Sequence, residues 1–160
     1  MPIPAYLWLK DDGGTLIKGS VDVQHRENSI EVIGFSHAIT LPVDSQTGKA
    51  TGKRKHAPIS FEKDFDASSP YLFKAVTTGQ KLEAAEFKWY RINDAGQEQE
   101  YYNMLLEGGT VISFSPGMPN TKISGMNGTN HTESIALMYE KITHKYCDGN
   151  VQHSDAWNER

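Results

Sequence analysis

The chain has 160 residues, of which 38% are hydrophobic, and it carries one cysteine and a formal net charge of -4. That length can bury a core of its own, a single cysteine excludes an intrachain disulfide, and the net negative charge gives no overall electrostatic reason to bind nucleic acid. The amino-terminal MPIPAYLWLKDD has neither a basic n-region nor a long apolar run, so we expect no signal peptide and no membrane insertion.

In chain order, Ile3 to Lys10 is apolar and aromatic enough for a buried strand, and Asp11-Asp12-Gly13-Gly14 is turn chemistry. Leu16 to Gln24 suits a second strand, broken by Arg26-Glu27-Asn28-Ser29 before Ile30. Ile33, Phe35, His37, Ile39 and Leu41 then alternate with Val32, Gly34, Ser36, Ala38 and Thr40, which predicts a strand by its period of two.

Pro42 to Pro58 reads PVDSQTGKATGKRKHAP, and neither strand nor helix is expected in it. Loops longer than about 12 to 15 residues are uncommon inside compact domains and are usually functional or disordered. This extended loop carries Lys49, Lys53, Arg54 and Lys55, so it is the first stretch that calls for a reason outside the domain. Ile59, Phe61 and Phe65 restore alternation after it.

Ser69 as N-cap, Pro70 at the first helical position and Gly79 as the left-handed stop predict one short helix, with Leu72, Ala75 and Val76 as its apolar stripe. So short a helix is marginal in water and must be held by a sheet. Leu82 to Ile92 supplies one, with Ala85, Phe87 and Trp89 on one face and Lys88, Tyr90 and Ile92 on the other. Asn93-Asp94-Ala95-Gly96 turns the chain into a return strand through Tyr101, Tyr102, Met104 and Leu105, and Val111 to Phe114 continues or pairs beside it. Ser115 to Asn130 reads as a glycine- and asparagine-rich connection. Glu133, Ile135, Leu137 and Tyr139 begin a last long strand reaching Tyr146, and after Asp148-Gly149-Asn150 the tail has Trp157 as its large anchor. The expected class is mainly β, a single-domain small β-barrel of two packed sheets with one short flanking helix and a long extended loop.

Motifs for chemistry are missing. Gly48 to Arg54 imitates a phosphate-binding loop, but its glycines are separated by three residues and Arg54 stands where Ser or Thr would hold magnesium. His144, Cys147 and His153 lack the paired spacing of a zinc site, and no Gly-x-Ser-x-Gly elbow surrounds a serine. Asn127-Gly128-Thr129 and Asn130-His131-Thr132 match the glycosylation pattern but read more simply as turns. No catalytic, cofactor or metal residue is therefore assigned. The basic run at Lys53-Arg54-Lys55-His56 is either a solvated loop or a contact to an acidic partner surface such as Glu62, Asp64 or Asp66.

Four separated blocks carry a resemblance: Lys55-His56-Ala57-Pro58-Ile59; Ser68 to Gly79; Ala85-Glu86-Phe87-Lys88-Trp89-Tyr90-Arg91; and the tail Asp148-Gly149-Asn150 with Trp157-Asn158-Glu159-Arg160. In this order they resemble the Hcp family, the hemolysin-coregulated proteins of bacterial type VI secretion. The resemblance implies a β-barrel with one flanking helix, homohexameric rings stacked as an inner tube, contacts with the sheath and the tip spike, and effectors sheltered in the lumen. It implies a protein that is cytoplasmic before assembly and then secreted through the type VI machine, and we expect none of the appended toxin domain that some relatives carry. The candidate assembly contacts are Asp44, Gln46, Lys49, Lys53, Arg54, Lys55 and His56 of the long loop. The alternative is a monomeric barrel acting as a carrier or small-ligand binding module.

Overall fold

The structure is a computed structural model that describes residues 3–123, 125 and 130–157. Strand β1 (Ala5–Lys10) pairs antiparallel with β2 (Leu16–Ile17), β3 (Ile30–Val32) and β8 (Lys81–Ile92). β8 continues through the expected turn into β9 (Glu98–Gly117), which pairs along its second half with β10 (Thr132–Met138). β10 pairs with β7 (Ile59–Asp64), and β7 with β4 (Gly34–Ser36).

The sheet closes on itself. β3 is bonded to β1 and β4 to β7, yet the two are consecutive, and between them the Ile33 amide donates to the Glu62 carbonyl at 2.9 Å. The expected run from Ile30 to Leu41 is thus three short strands, the third being β5 (Ile39–Thr40). Its inward phase switches after Ile33, because Val32 is buried and Ile33 is 48% exposed, yet Phe35 two residues further packs against the core. Bulges at Trp89/Tyr90 and Ala136/Leu137 bend the long strands, which closure requires.

The interior is filled. Leu7, Leu9, Ile30, Ile59, Leu82, Phe87, Leu106 and Leu137 are fully buried, and Phe87 meets Phe61 and Phe35 edge to face, with ring centroids 5.6 and 5.3 Å apart. Helix α1 (Ser69–Thr78) covers this core through Leu72 and Ala75, and ends at Gly79 with φ 71°. Its N-cap is Ser68, not Ser69. The Ser69 hydroxyl is drawn away instead: it donates to Glu133 Oε1 at 2.6 Å and accepts from Lys63 Nζ at 3.1 Å.

Several expected boundaries move. The second strand shrinks to Leu16–Ile17, because beyond it the chain folds back on itself: the Gly19 amide donates to the Asn28 carbonyl at 3.0 Å, and His25 and Asn28 adopt positive φ at the turn. β9 absorbs both the return strand and Val111 to Phe114, and runs on to Gly117, into what was expected to be connection. Asn127-Gly128-Thr129 lies outside the described residues. The last long strand breaks at Tyr139-Glu140, where β11 (Lys141–Tyr146) leaves β10 to pair with the first half of β9, and the tail adds β12 (Val151–Ala156) as an edge strand. Phe65 leaves the core and is 50% exposed. Lys63 takes the inward position before it, buried together with Glu133.

Candidate assembly arm

The stretch from Pro42 to Pro58 is an arm with its own hydrogen bonds, which corrects the expectation that no strand survives there. β6 (Lys55–His56) pairs with β5, and Val43 bridges Ala50 beyond it. At the tip, the Asp44 amide donates to the Lys49 carbonyl at 2.8 Å, and the Asp44 carboxylate accepts from the Gln46 amide at 2.8 Å. Asp44 is spent on closing its own turn. Six further residues along such a hairpin span about 20 Å, so the tip stands well away from its root.

The root is tied to distant parts of the chain. Arg54 Nε donates to Asp155 Oδ2 at 2.5 Å, and its Nη2 donates to the Ala156 carbonyl at 2.9 Å. His56, only 7% exposed, places Nε2 2.7 Å from the same Asp155 oxygen and Nδ1 2.6 Å from the Tyr139 hydroxyl. His37 Nε2 lies 2.9 Å from that hydroxyl on its other side. One set of protons satisfies the whole chain with neutral imidazoles: His37 Nε2–H donates to Tyr139, Tyr139 O–H to His56 Nδ1, and His56 Nε2–H to Asp155. Trp157 packs its ring 5.1 Å from that of His56, which gives the expected tail anchor a specific seat.

The electrostatics agree with a closed latch built on an ionised Asp155. Hydrogen bonding from Arg54 first, and then from His56, holds the Asp155 carboxyl below the usual carboxylate range. Burial, with Asp155 adding to it, pushes the Tyr139 hydroxyl up to about 12, so it stays a donor. Burial also lowers His37, helped by His144 and His56, and lowers His144.

Of the seven expected contacts, therefore, Arg54 and His56 bind the arm to its own barrel and Asp44 binds its own turn. Gln46, Lys49, Lys53 and Lys55 remain exposed on the arm. Asp66, expected as a basic-loop partner, pairs with Lys63 at 2.9 Å instead. His37, Tyr139 and Asp155 escaped sequence reasoning because they lie 83 to 102 residues from the groups they bond, and no spacing pattern connects them.

Elsewhere, His144 Nδ1 is 2.7 Å from the Tyr102 hydroxyl, and Cys147 faces Glu100 with its thiol pushed up by burial first and then by Glu100. A raised thiol is the reverse of what a nucleophile needs. Among the described residues no helix is long and apolar enough to cross a membrane.

The model of the family described as "Type VI secretion system effector, Hcp" matches residues 6–146. The chain belongs to the Hcp family. It is 34% identical over 139 residues to the "Major exported protein" of Pseudomonas aeruginosa, across 87% of this chain and 81% of that protein. The solved structure of a mutant Hcp1 from E. coli EAEC 042 superposes with a TM-score of 0.87 at 58% identity, covering 97% of this chain and 99% of that one. Hcp3 of Pseudomonas aeruginosa is similar at 26% identity, with a TM-score of 0.78 over 98% and 99% of the two chains. In this Hcp-family chain the root of the arm is held by Asp155 and Ala156 of β12 and by Tyr139 of the β10–β11 break.

Proposed function

We propose that this chain is a structural tube component of type VI secretion, forming homohexameric rings that stack into the inner tube, carry effectors in the lumen, and leave the cell through the machine. The family match over residues 6–146 carries this reading. Sheath and tip spike are its further expected partners, by the same membership. The physical chemistry supports it in two ways. Among the described residues β12 pairs with β11 alone and so offers an open row of backbone groups, and Leu41 at the foot of the arm and Val43 on it stand 56% and 55% exposed, used by no core. The barrel interior is packed with side chains, which disfavours the rival reading of a carrier holding a small ligand inside one barrel.

Within this reading the arm is the assembly element, reaching a neighbouring subunit or ring. Native mass spectrometry at micromolar concentration tests the ring, with a sixfold mass expected; monomer alone would overturn it. Replacing Val43 to Lys53 with a brief Gly-Ser linker, which spares Arg54 and His56, should leave the barrel's circular dichroism intact and impair stacking or secretion. Parent-like rings, tubes and secretion would remove the arm from the assembly.

A further inference from the structure

We propose that the arm's receiving site is a notch at the opposite end of β7 on a second copy, so that barrels associate head to tail through it. The inference rests on the reading of the arm as an assembly element and names the surface it docks on.

Strand β7 relates the two sites. The arm enters β7 at Ile59, while the strand ends at Asp64 and Phe65 beside a notch of about 250 Å3. Five residues of extended chain separate them by about 17 Å, so arm and notch sit at different ends of one barrel and do not share a surface. A contact between two unlike patches at different ends is heterologous, and repeated along an axis it propagates into a stack.

The notch has the complementary chemistry. Its apolar floor includes Tyr6 and Val21, and Val23 and Phe65 stand 39% and 50% exposed at it. Asp22 and Glu31 line it as exposed carboxylates. No ion pair among the described residues engages either of them, whereas Asp66 in the same notch is held by Lys63. The arm offers the mirror set: Lys49, Lys53 and Lys55 are exposed and take part in none of those pairs, and Leu41 and Val43 supply exposed apolar surface. The arm's own carboxylate, Asp44, is exposed at the tip and accepts from the Gln46 and Thr47 amides, so three free lysines outnumber one carboxylate on the arm. Single exposed pairs contribute little, so recognition needs several lysines at once together with the apolar contact, and it should weaken with salt.

Charge exchange tests the docking. Asp22→Lys with Glu31→Lys should keep the ring mass in native mass spectrometry and lower the fraction of stacked rings, counted by negative-stain electron microscopy at low salt, at least tenfold. Lys49→Glu, Lys53→Glu and Lys55→Glu together should do the same. Combining both sets should restore stacking to within about twofold of the parent, because the attraction is rebuilt with its signs exchanged. The milder Asp22→Asn with Glu31→Gln, which adds no charge to the fold, should give an intermediate loss. Rings that need the arm to stack but are indifferent to the notch substitutions, or a combined variant that fails to recover, would overturn this docking site and leave the arm's role standing. A parent that stays monomeric would overturn the ring reading and this one with it.

Discussion

Arg54 and Asp155 meet at 2.5 Å although 101 residues separate them, and their contact decides how the arm leaves the barrel. Asp155 serves Arg54 and His56 with the same oxygen, so it is the joint of the latch. Asp155→Asn should cost about 1 to 2 kcal/mol in chemical denaturation, a charged hydrogen bond discounted for partial exposure. Hydrogen exchange should rise from Lys53 to Ala57 and stay unchanged in β8. Equal protection of the arm in both proteins would refute the latch.

Lys63 and Glu133 form a second joint, beneath the helix. Their charges lie 3.3 Å apart with side-chain exposures of 0% and 1%, and Ser69 and Asp66 complete the set. Lys63→Met alone leaves buried carboxylate charge uncompensated and should cost about 3 to 5 kcal/mol. Lys63→Met with Glu133→Leu should cost clearly less than the two single changes added together. Strict additivity in the double-mutant cycle would show that the groups are not coupled.

Phe87 lies at the centre of the barrel and touches aromatic rings from β4 and β7, the two elements involved in closure. Phe87→Ala should cost about 3 to 5 kcal/mol through lost transfer energy and the cavity left behind. Phe87→Leu should recover much of it. A loss below 1 kcal/mol for the alanine variant would mean that the interior collapses around the gap.

The latch and the neighbouring His144 should also make stability respond to pH, with signs that follow from the shifts. Burial holds His37 and His144 below their ordinary 6.5, so the unfolded chain binds those protons first. Their contribution is present above pH 6.5 and is lost as pH falls from there through the lower folded values. Asp155 lies below its ordinary 3.8, so its contribution holds above that value and is lost as pH falls through the folded one. Tyr139, raised to about 12 from 10.0, acts at the other end: stability is level up to pH 10 and falls as pH climbs through 12. Melting temperatures from pH 3 to 8 should decline below 6.5 in the parent and more shallowly in His37→Asn. A flat profile from pH 7 to 5 would contradict the buried neutral rings.

Local chemistry made much of the barrel legible beforehand. Pro70 and Gly79 bracket a helix because one lacks an amide hydrogen and the other tolerates positive φ, and Asn93 to Gly96 closes a hairpin through bonds to the Asn93 side chain. Ala85 and Phe87 declare their inward face by alternation, and the conjunction of helix, hairpin and tail blocks carried the family. These are short-range facts, written within a few residues of where they act.

What alternation could not express is where a strand changes partner. Ile30 to Ser36 reads as one continuous strand, yet it serves β1 first and β7 next, and only the closing of the sheet determines that Ile33 must face outward. Alternation from Ile59 and Phe61 points Phe65 inward and says nothing of Lys63, because burial of a cation depends on Glu133, Asp66 and Ser69 arriving from elsewhere in the fold. The arm's basic residues were visible as composition, but composition cannot separate Arg54, bound to its own barrel, from Lys49, Lys53 and Lys55, which point away. That division is a matter of which side chain can reach Asp155, and reach across about a hundred residues exists only once the barrel has closed and β12 has joined its edge.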